Sequence, residues 1–179
     1  MGEGHGFRPV GRRVLGTASF LSVERIHLSD PDGGAVARVV VRHPGAVAVV
    51  PLEGDDVVLL RQYRAPIGTE LIEIPAGKLD VAGETLVAAA HRELAEEVGL
   101  AGELTPLLSI DTTPGFCDER IAIFLATELR SVPASPRGAE ERRATVFRMP
   151  LGAALDAVFD GSITDGKTIA GLLALAHRR

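Results

Sequence analysis

Apolar and polar positions along the chain fall into two kinds of pattern. Between residues 14 and 63, β-branched and apolar residues come in short runs separated by turn formers, which predicts strands. Val14–Glu24 and Ala35–Arg42 read as strands on either side of the breaker-rich Ser29–Gly34. Gly45–Leu52 and Asp56–Tyr63 read as a hairpin turning at Glu53–Asp55, and Leu71–Pro75 as a further short strand. The period then changes. Over residues 85–98, Val87, Ala90, Leu94 and Val98 form one stripe at helical spacing, stopped by Gly99. Strands are predicted at Leu104–Asp111, Ile121–Glu128 and Val146–Met149, and helices at Leu151–Phe159 and Thr164–Ala176. Residues 1–12, rich in glycine and charge, read as a frayed tail, and the polar Arg130–Arg143 as a mobile loop. Strands with helices between and after them predict an α+β or α/β sandwich about one sheet.

Composition narrows the class. A chain of 179 residues suits one compact domain, or one with a small appendage. With 46% apolar and 24% charged residues it is globular, and a net charge of −5 argues against coating nucleic acid. The single cysteine, Cys117, excludes an internal disulfide framework and a cysteine-rich zinc site. His5, His27, His43, His91 and His177 show no metal-ligand spacing and read as structural or surface residues. The longest apolar runs, Ala46–Leu52 and Ala170–Ala176, are too short to span a bilayer, and the first residues lack a signal-peptide apolar block. The expectation is a cytoplasmic protein without a membrane or nucleic-acid partner.

The chemistry is concentrated in Arg92–Leu100, which carries Glu93, Glu96 and Glu97. Glu93 and Glu97 lie about 40° apart on the helix, one turn from each other, and flank the apolar stripe rather than point straight into water. Two carboxylates at this spacing repel, more so when partly buried. A hard divalent cation such as Mg²⁺ would offset that repulsion and bridge to phosphates. The alternative is a solvated acidic face, which suits Glu96, since it points away from the stripe. Arg92 also points outward, toward Glu96 or Glu84.

Upstream, Ile74–Glu84 forms a glycine-containing loop between strand and helix, where Gly77 permits close backbone approach. Gly77, Glu84 and the run Arg92-Glu93-Leu94-Ala95-Glu96-Glu97-Val98-Gly99-Leu100 together resemble the Nudix box of Mg²⁺-dependent nucleoside-diphosphate hydrolases. The interval from Gly77 to Glu84 is one residue longer than usual, because Gly83 stands where the glutamate would be. Further segments resemble the ADP-ribose pyrophosphatase subgroup: His43–Val47, Arg61-Gln62-Tyr63-Arg64, Glu73–Gly77, Thr113–Glu119 with Pro114 past the box, and Asp165–Ala170.

This resemblance implies a Nudix-type α/β/α sandwich around a mixed sheet, with a small N-terminal antiparallel sheet. Residues 1–43 would form a dimer-building β segment and 44–179 the hydrolase domain. It implies hydrolysis of ADP-ribose to AMP and ribose 5-phosphate with Mg²⁺, or Mn²⁺, as cofactor. Glu93, Glu96, Glu97 and the Ala76 carbonyl would hold the metal, with Glu97 also counted in the catalytic set. Arg64, Gly115 and Phe116 would bind substrate. Phe20 is a candidate for stacking on adenine in a homodimer, and equally a candidate core residue. Glu140 and Glu141 are both candidates for the catalytic base, with Glu140 favoured for its reach and Glu119 next in turn. Another nucleoside diphosphate sugar as substrate, or a module that binds ADP-ribose without cleaving it, are the competing functions.

Overall fold

The computed structural model describes residues 6–179. The chain divides into two compact units. One runs up to Gly45 and takes in Asp111–Glu119; the other comprises Ala46–Ile110 and Arg120–Arg179.

The first unit is a three-stranded antiparallel sheet of β1 (Arg8–Ala18), β2 (Leu21–Ser29) and β3 (Ala35–Arg42), in that order. Two expectations are corrected here. Strand β1 starts at Arg8, so residues 8–12 are not frayed: Gly11 and the two arginines ride on an edge strand whose backbone pairs with β2, from Arg8↔Ser29 onward. Residues 1–5 of the expected tail lie outside the described residues. The single strand expected over Val14–Glu24 is two strands, because the chain reverses at Ser19-Phe20, with Ser19 at φ 54°. Asp30 closes the β2–β3 turn, its Oδ1 accepting from the N–H groups of Asp32 (3.0 Å) and Gly34 (2.6 Å). The segment 111–119 is tied in by Asp118, which accepts from His43 N–H (2.8 Å) and Arg42 Nη1 (3.0 Å), and by the Val41 N–H donating to the Phe116 carbonyl (2.7 Å). Arg42 also donates to the buried Glu24 at 2.9 Å.

The second unit is a mixed sheet between helices. Its strands are β4 (Ala46–Glu53), β5 (Asp56–Arg64), β6 (Thr69–Glu73), β7 (Ala76–Lys78), β8 (Leu100–Asp111), β9 (Arg120–Ser131) and β10 (Thr145–Pro150). The order is β10-β5-β4-β9-β8, with β6 added to β5 and β7 to β4. Strands β4 and β9 run parallel; β5 pairs antiparallel with β4, β6 and β10. Strand β4 shows why the sheet is covered on both faces. Ala46, Ala48 and Val50 pack toward α2 (Leu151–Phe159) and α3 (Gly166–Arg178), while Val47 and Val49 pack toward α1 (Leu86–Val98). A strand buried on both sides reads as an unbroken apolar run, as Ala46–Leu52 does. The α/β/α layering matches the expected fold class.

Helix α1 is delimited as its sequence predicts. Thr85 Oγ1 accepts from the Ala88 N–H at 3.2 Å, and Gly99 ends the helix in the left-handed region at φ 64°. Its inward face differs from the expected stripe. Ala89, Ala90, Glu93, Leu94 and Glu96 are buried, whereas Val87 is 45% exposed. Packing begins at the two alanines, whose small side chains let the helix approach Val47, Val49 and Val58 closely. The short β7 escaped the periodicity because three residues carry no period. The expected loop over Arg130–Arg143 is shorter: β9 runs to Ser131, and Glu141–Arg143 form a 3₁₀ turn.

Leu94 is fully buried while Val87 is not. Leu94→Ala should therefore cost about 2–5 kcal/mol in urea denaturation, and Val87→Ala about 0.5 kcal/mol or less.

Candidate active site

The inner side of α1 faces β7, and the carboxylates meet there. Glu93 and Glu96 are both 8% exposed, and Glu97 is half-buried. The expectation that Glu96 points into solvent is therefore wrong. A helical wheel measures angle from the stripe, but it does not see the 132–143 segment, which covers that side of α1. Ser135 N–H donates to the Glu96 carbonyl, and Arg137 Nη2 bonds the Glu96 carboxylate. Arg92 does not point outward either. It is largely buried between Glu84 (2.9 and 2.8 Å) and Glu93 (2.5 Å), with Glu96 at 3.4 Å. These acceptors raise its pKa above the usual arginine value, Glu84 first. Glu84, displaced by one residue in the motif, is thereby given a role: it anchors Arg92.

Two features of 75–78 accommodate the acidic face. Gly77 has no side chain, and a methyl group there would overlap the Glu93 carboxylate. Ala76 N–H donates to Glu97 Oε2 at 2.9 Å. Burial pushes the Glu97 carboxyl up to about 8, against the Ala76 bond; the charges of Glu93 and Glu141 push the same way. Burial likewise raises Glu93, opposed by Arg92 and reinforced by Glu96 and Glu141. Glu141 is thus the acidic residue of the 3₁₀ turn that acts on both. Its Oε2 is held by the N–H groups of Arg137 (2.7 Å) and Gly138 (2.8 Å). Glu140 precedes the turn, is exposed and caps nothing.

Arg64 ends β5 and is gripped by Glu73 at the end of β6. Nε and Nη2 donate to the two Glu73 oxygens at 2.7 and 2.6 Å. Glu73 is 1% exposed and also receives Lys167 Nζ at 2.5 Å. Burial alone would raise the Glu73 carboxyl, but Arg64 and Lys167 outweigh it and hold the pKa below the usual value. The positive charge of Arg64 reaches Glu97. Glu73 and Lys167 escaped the sequence reading as site residues, though both stand in segments singled out for family resemblance.

Of the expected site residues, Ala76, Glu93, Glu96, Glu97, Arg64, Glu140 and Glu141 belong to the second unit. Phe20, Gly115 and Phe116 belong to the first. There Phe20 is 42% exposed and meets the His43 ring edge-on, centroids 5.2 Å apart, and Phe116 is 56% exposed. Glu119 takes Thr112 Oγ1 at 2.7 Å and lies 3.4 Å from His43 Nε2. Cys117 is a free, half-buried thiol.

The carboxylates are turned toward arginines and a backbone N–H, and among the described residues no three acidic, histidine or cysteine side chains converge on one point. The donor set nonetheless fits a hard divalent cation. It offers only oxygen, two of its carboxylates are almost wholly buried, and burial, reinforced by neighbouring carboxylates, raises the pKa of Glu93 and Glu97.

Residues 42–170 match the NUDIX domain model. The chain is 40% identical over 173 residues to the ADP-ribose pyrophosphatase of Mycobacterium tuberculosis, covering 96% of this chain and 84% of that one. It is 39% identical over 150 residues to the ADP-ribose pyrophosphatase of Bacillus subtilis, covering 83% and 80%. A crystal structure of an ADP compounds hydrolase superposes with a TM-score of 0.85 at 23% identity, over 96% of this chain and 93% of that one, and shares the fold. The chain belongs to the Nudix family of hydrolases. Among the described residues no helix is long and apolar enough to cross a membrane.

Glu73 supplies a pH test with a definite sign. Its folded pKa lies below the ordinary carboxyl value, so its stabilisation is complete above that range and is lost as pH falls through the folded pKa. Glu73→Gln should cost about 3 kcal/mol near neutral pH, since it removes the buried carboxylate that Arg64 and Lys167 share. Urea denaturation repeated at about pH 3 should show the difference from wild type shrinking.

Proposed function

We propose that this Nudix hydrolase cleaves the diphosphate of ADP-ribose to AMP and ribose 5-phosphate, with Mg²⁺ as its cofactor and Mn²⁺ able to replace it. The observation that carries this reading is the buried carboxylate set Glu93, Glu96 and Glu97, faced by Glu141, in a chain similar along most of its length to ADP-ribose pyrophosphatases.

A diphosphate resists attack because its oxygens are anionic. Charge neutralisation there is what a divalent cation supplies when held by Glu93, Glu96, Glu97 and the Ala76 carbonyl. The rest falls to the protein's own groups. Arg64 contacts the diphosphate, for which a planar guanidinium is suited. Glu141 accepts the proton of the attacking water. Its Oε2 is engaged by two backbone N–H groups, which orients the carboxylate and leaves Oε1 for the proton. This favours Glu141 over Glu140, whose exposed side chain has no comparable anchor.

The active form is a homodimer built through the N-terminal sheet. All eleven residues of β1 are exposed in the single chain, among them Val10, Val14 and Leu15; Val39 is exposed on β3 and Phe20 in the β1–β2 turn. A three-stranded sheet with so much uncovered apolar surface favours a partner. Phe20 then stacks on adenine, and Gly115 and Phe116 are further nucleotide contacts.

Purified protein with Mg²⁺ should release AMP from ADP-ribose faster than from a panel of other nucleoside diphosphate sugars. No AMP from any of them would refute hydrolysis, and preference for another sugar would reassign the substrate. Glu93→Gln and Glu97→Gln should each lower kcat by about 100-fold or more without unfolding the protein. Glu141→Gln should lower kcat with substrate affinity retained, while Glu140→Gln stays near wild type. Sedimentation should give a dimer that Val14→Lys disrupts; a fully active wild-type monomer would refute the assembly.

A further inference from the structure

Lys167 lies in the first turn of α3 and has no part in the chemistry above. Its side chain is 10% exposed, and its ammonium sits between Glu73 Oε2 (2.5 Å) and Asp165 Oδ2 (3.0 Å). Asp165 is itself fixed. Its Oδ2 caps α3, accepting from Thr168 N–H (3.0 Å) and Thr168 Oγ1 (2.5 Å). Thr168 Oγ1 in turn accepts from the Ile74 N–H at 2.9 Å. The consecutive residues Glu73 and Ile74 are therefore both bound to the start of a helix 94 positions further along the chain.

The geometry of Arg64 gives this tether a use. A guanidinium carries five N–H donors in a rigid plane. Glu73 takes the side-on pair, one from Nε and one from Nη2. The end-on edge, with one Nη1 hydrogen and the outer Nη2 hydrogen, takes no partner among the described residues. That edge suits a bidentate contact with a phosphate. Its direction depends on the plane of the Glu73 carboxylate, and Oε2 of that carboxylate is shared between Arg64 and Lys167. Without the ammonium, one oxygen of a buried carboxylate loses a charged partner, and the carboxylate is free to turn and carry Arg64 with it. The charges of Arg64, Glu73, Lys167 and Asp165 also cancel, so the arrangement is neutral as a set.

We propose that Lys167 is a positioning residue: acting through Glu73, it holds Arg64 so that its free edge is presented to the diphosphate of the substrate. This rests on the assignment of Arg64 to the diphosphate.

The test is a double-mutant cycle of Lys167→Met and Arg64→Met. It reads kcat and KM with Mg²⁺, calorimetric binding of ADP-ribose in EDTA where no turnover occurs, and Tm. Lys167→Met should raise KM and the metal-free Kd together by about tenfold with kcat changed by no more than about twofold. Lys167→Arg, which keeps the charge, should recover most of that loss. In the Arg64→Met background Lys167→Met should add nothing beyond about twofold. If Lys167→Met does not fold, Lys167→Gln, which keeps a hydrogen-bond donor for Glu73, is read in the same cycle. An equal penalty with and without Arg64, or an unchanged KM in the folded variant, would overturn the clamp. An Arg64→Met enzyme with normal KM and Kd would instead overturn the premise that Arg64 meets the diphosphate.

Discussion

The structure depends on keeping like charges together against their repulsion. Glu93, Glu96 and Glu97 occupy one side of a single helix, and two of them are almost wholly buried. Electrostatics alone would turn that side to water. What prevents it is the apolar docking of α1: Ala89, Ala90 and Leu94 are fully buried against Val47, Val49 and Val58. Burying one leucine contributes about 1.5–3 kcal/mol, Ala89 and Ala90 add to it, and the groups bonded to the carboxylates offset part of the cost of taking them out of water. Helix docking therefore wins, and the acidic side is drawn inward with it. Arg92, the Ala76 N–H and Arg137 then offset part of the remaining charge.

Close approach is what makes such burial usable. A side chain at 77 would collide with Glu93, and Gly77 is therefore a requirement of the site, with no turn involved. Gly99 has a different reason. It ends α1 in the left-handed region, where its N–H reaches the carbonyls of Ala95 and Leu94. The helix stops there and β8 begins at Leu100. Each glycine thus limits where the acidic face stands, one by its missing side chain and the other by its backbone.

The second buried charge, Glu73, is treated differently. It is matched by two cations, so its pKa is held down, while among the described residues no side-chain cation is bonded to Glu97, whose pKa rises with burial. The contrast separates two kinds of acidic residue. One is neutralised by the fold and serves to aim an arginine. The other is pushed toward its protonated form by burial and neighbouring carboxylates, and is suited to a cation from outside.

The family, the helix that carries the carboxylates and the layered α+β class were legible from the order of residues alone. These are local properties: a helical period, a glycine stop and glutamates at fixed intervals all act within a turn or two of one another. Helix Leu151–Phe159 was legible to the residue for the same reason. Which residues face which was settled by long-range packing. Glu96 is buried because a segment some forty residues later covers it, and Val87 is exposed because the packing starts at smaller neighbours. Residues 8–12 form a strand because β2 supplies partners for their backbone. Lys167 meets Glu73 across 94 positions. Such contacts are set by sheet register and layer packing, which no local pattern encodes, because each depends on the whole chain having already folded around it.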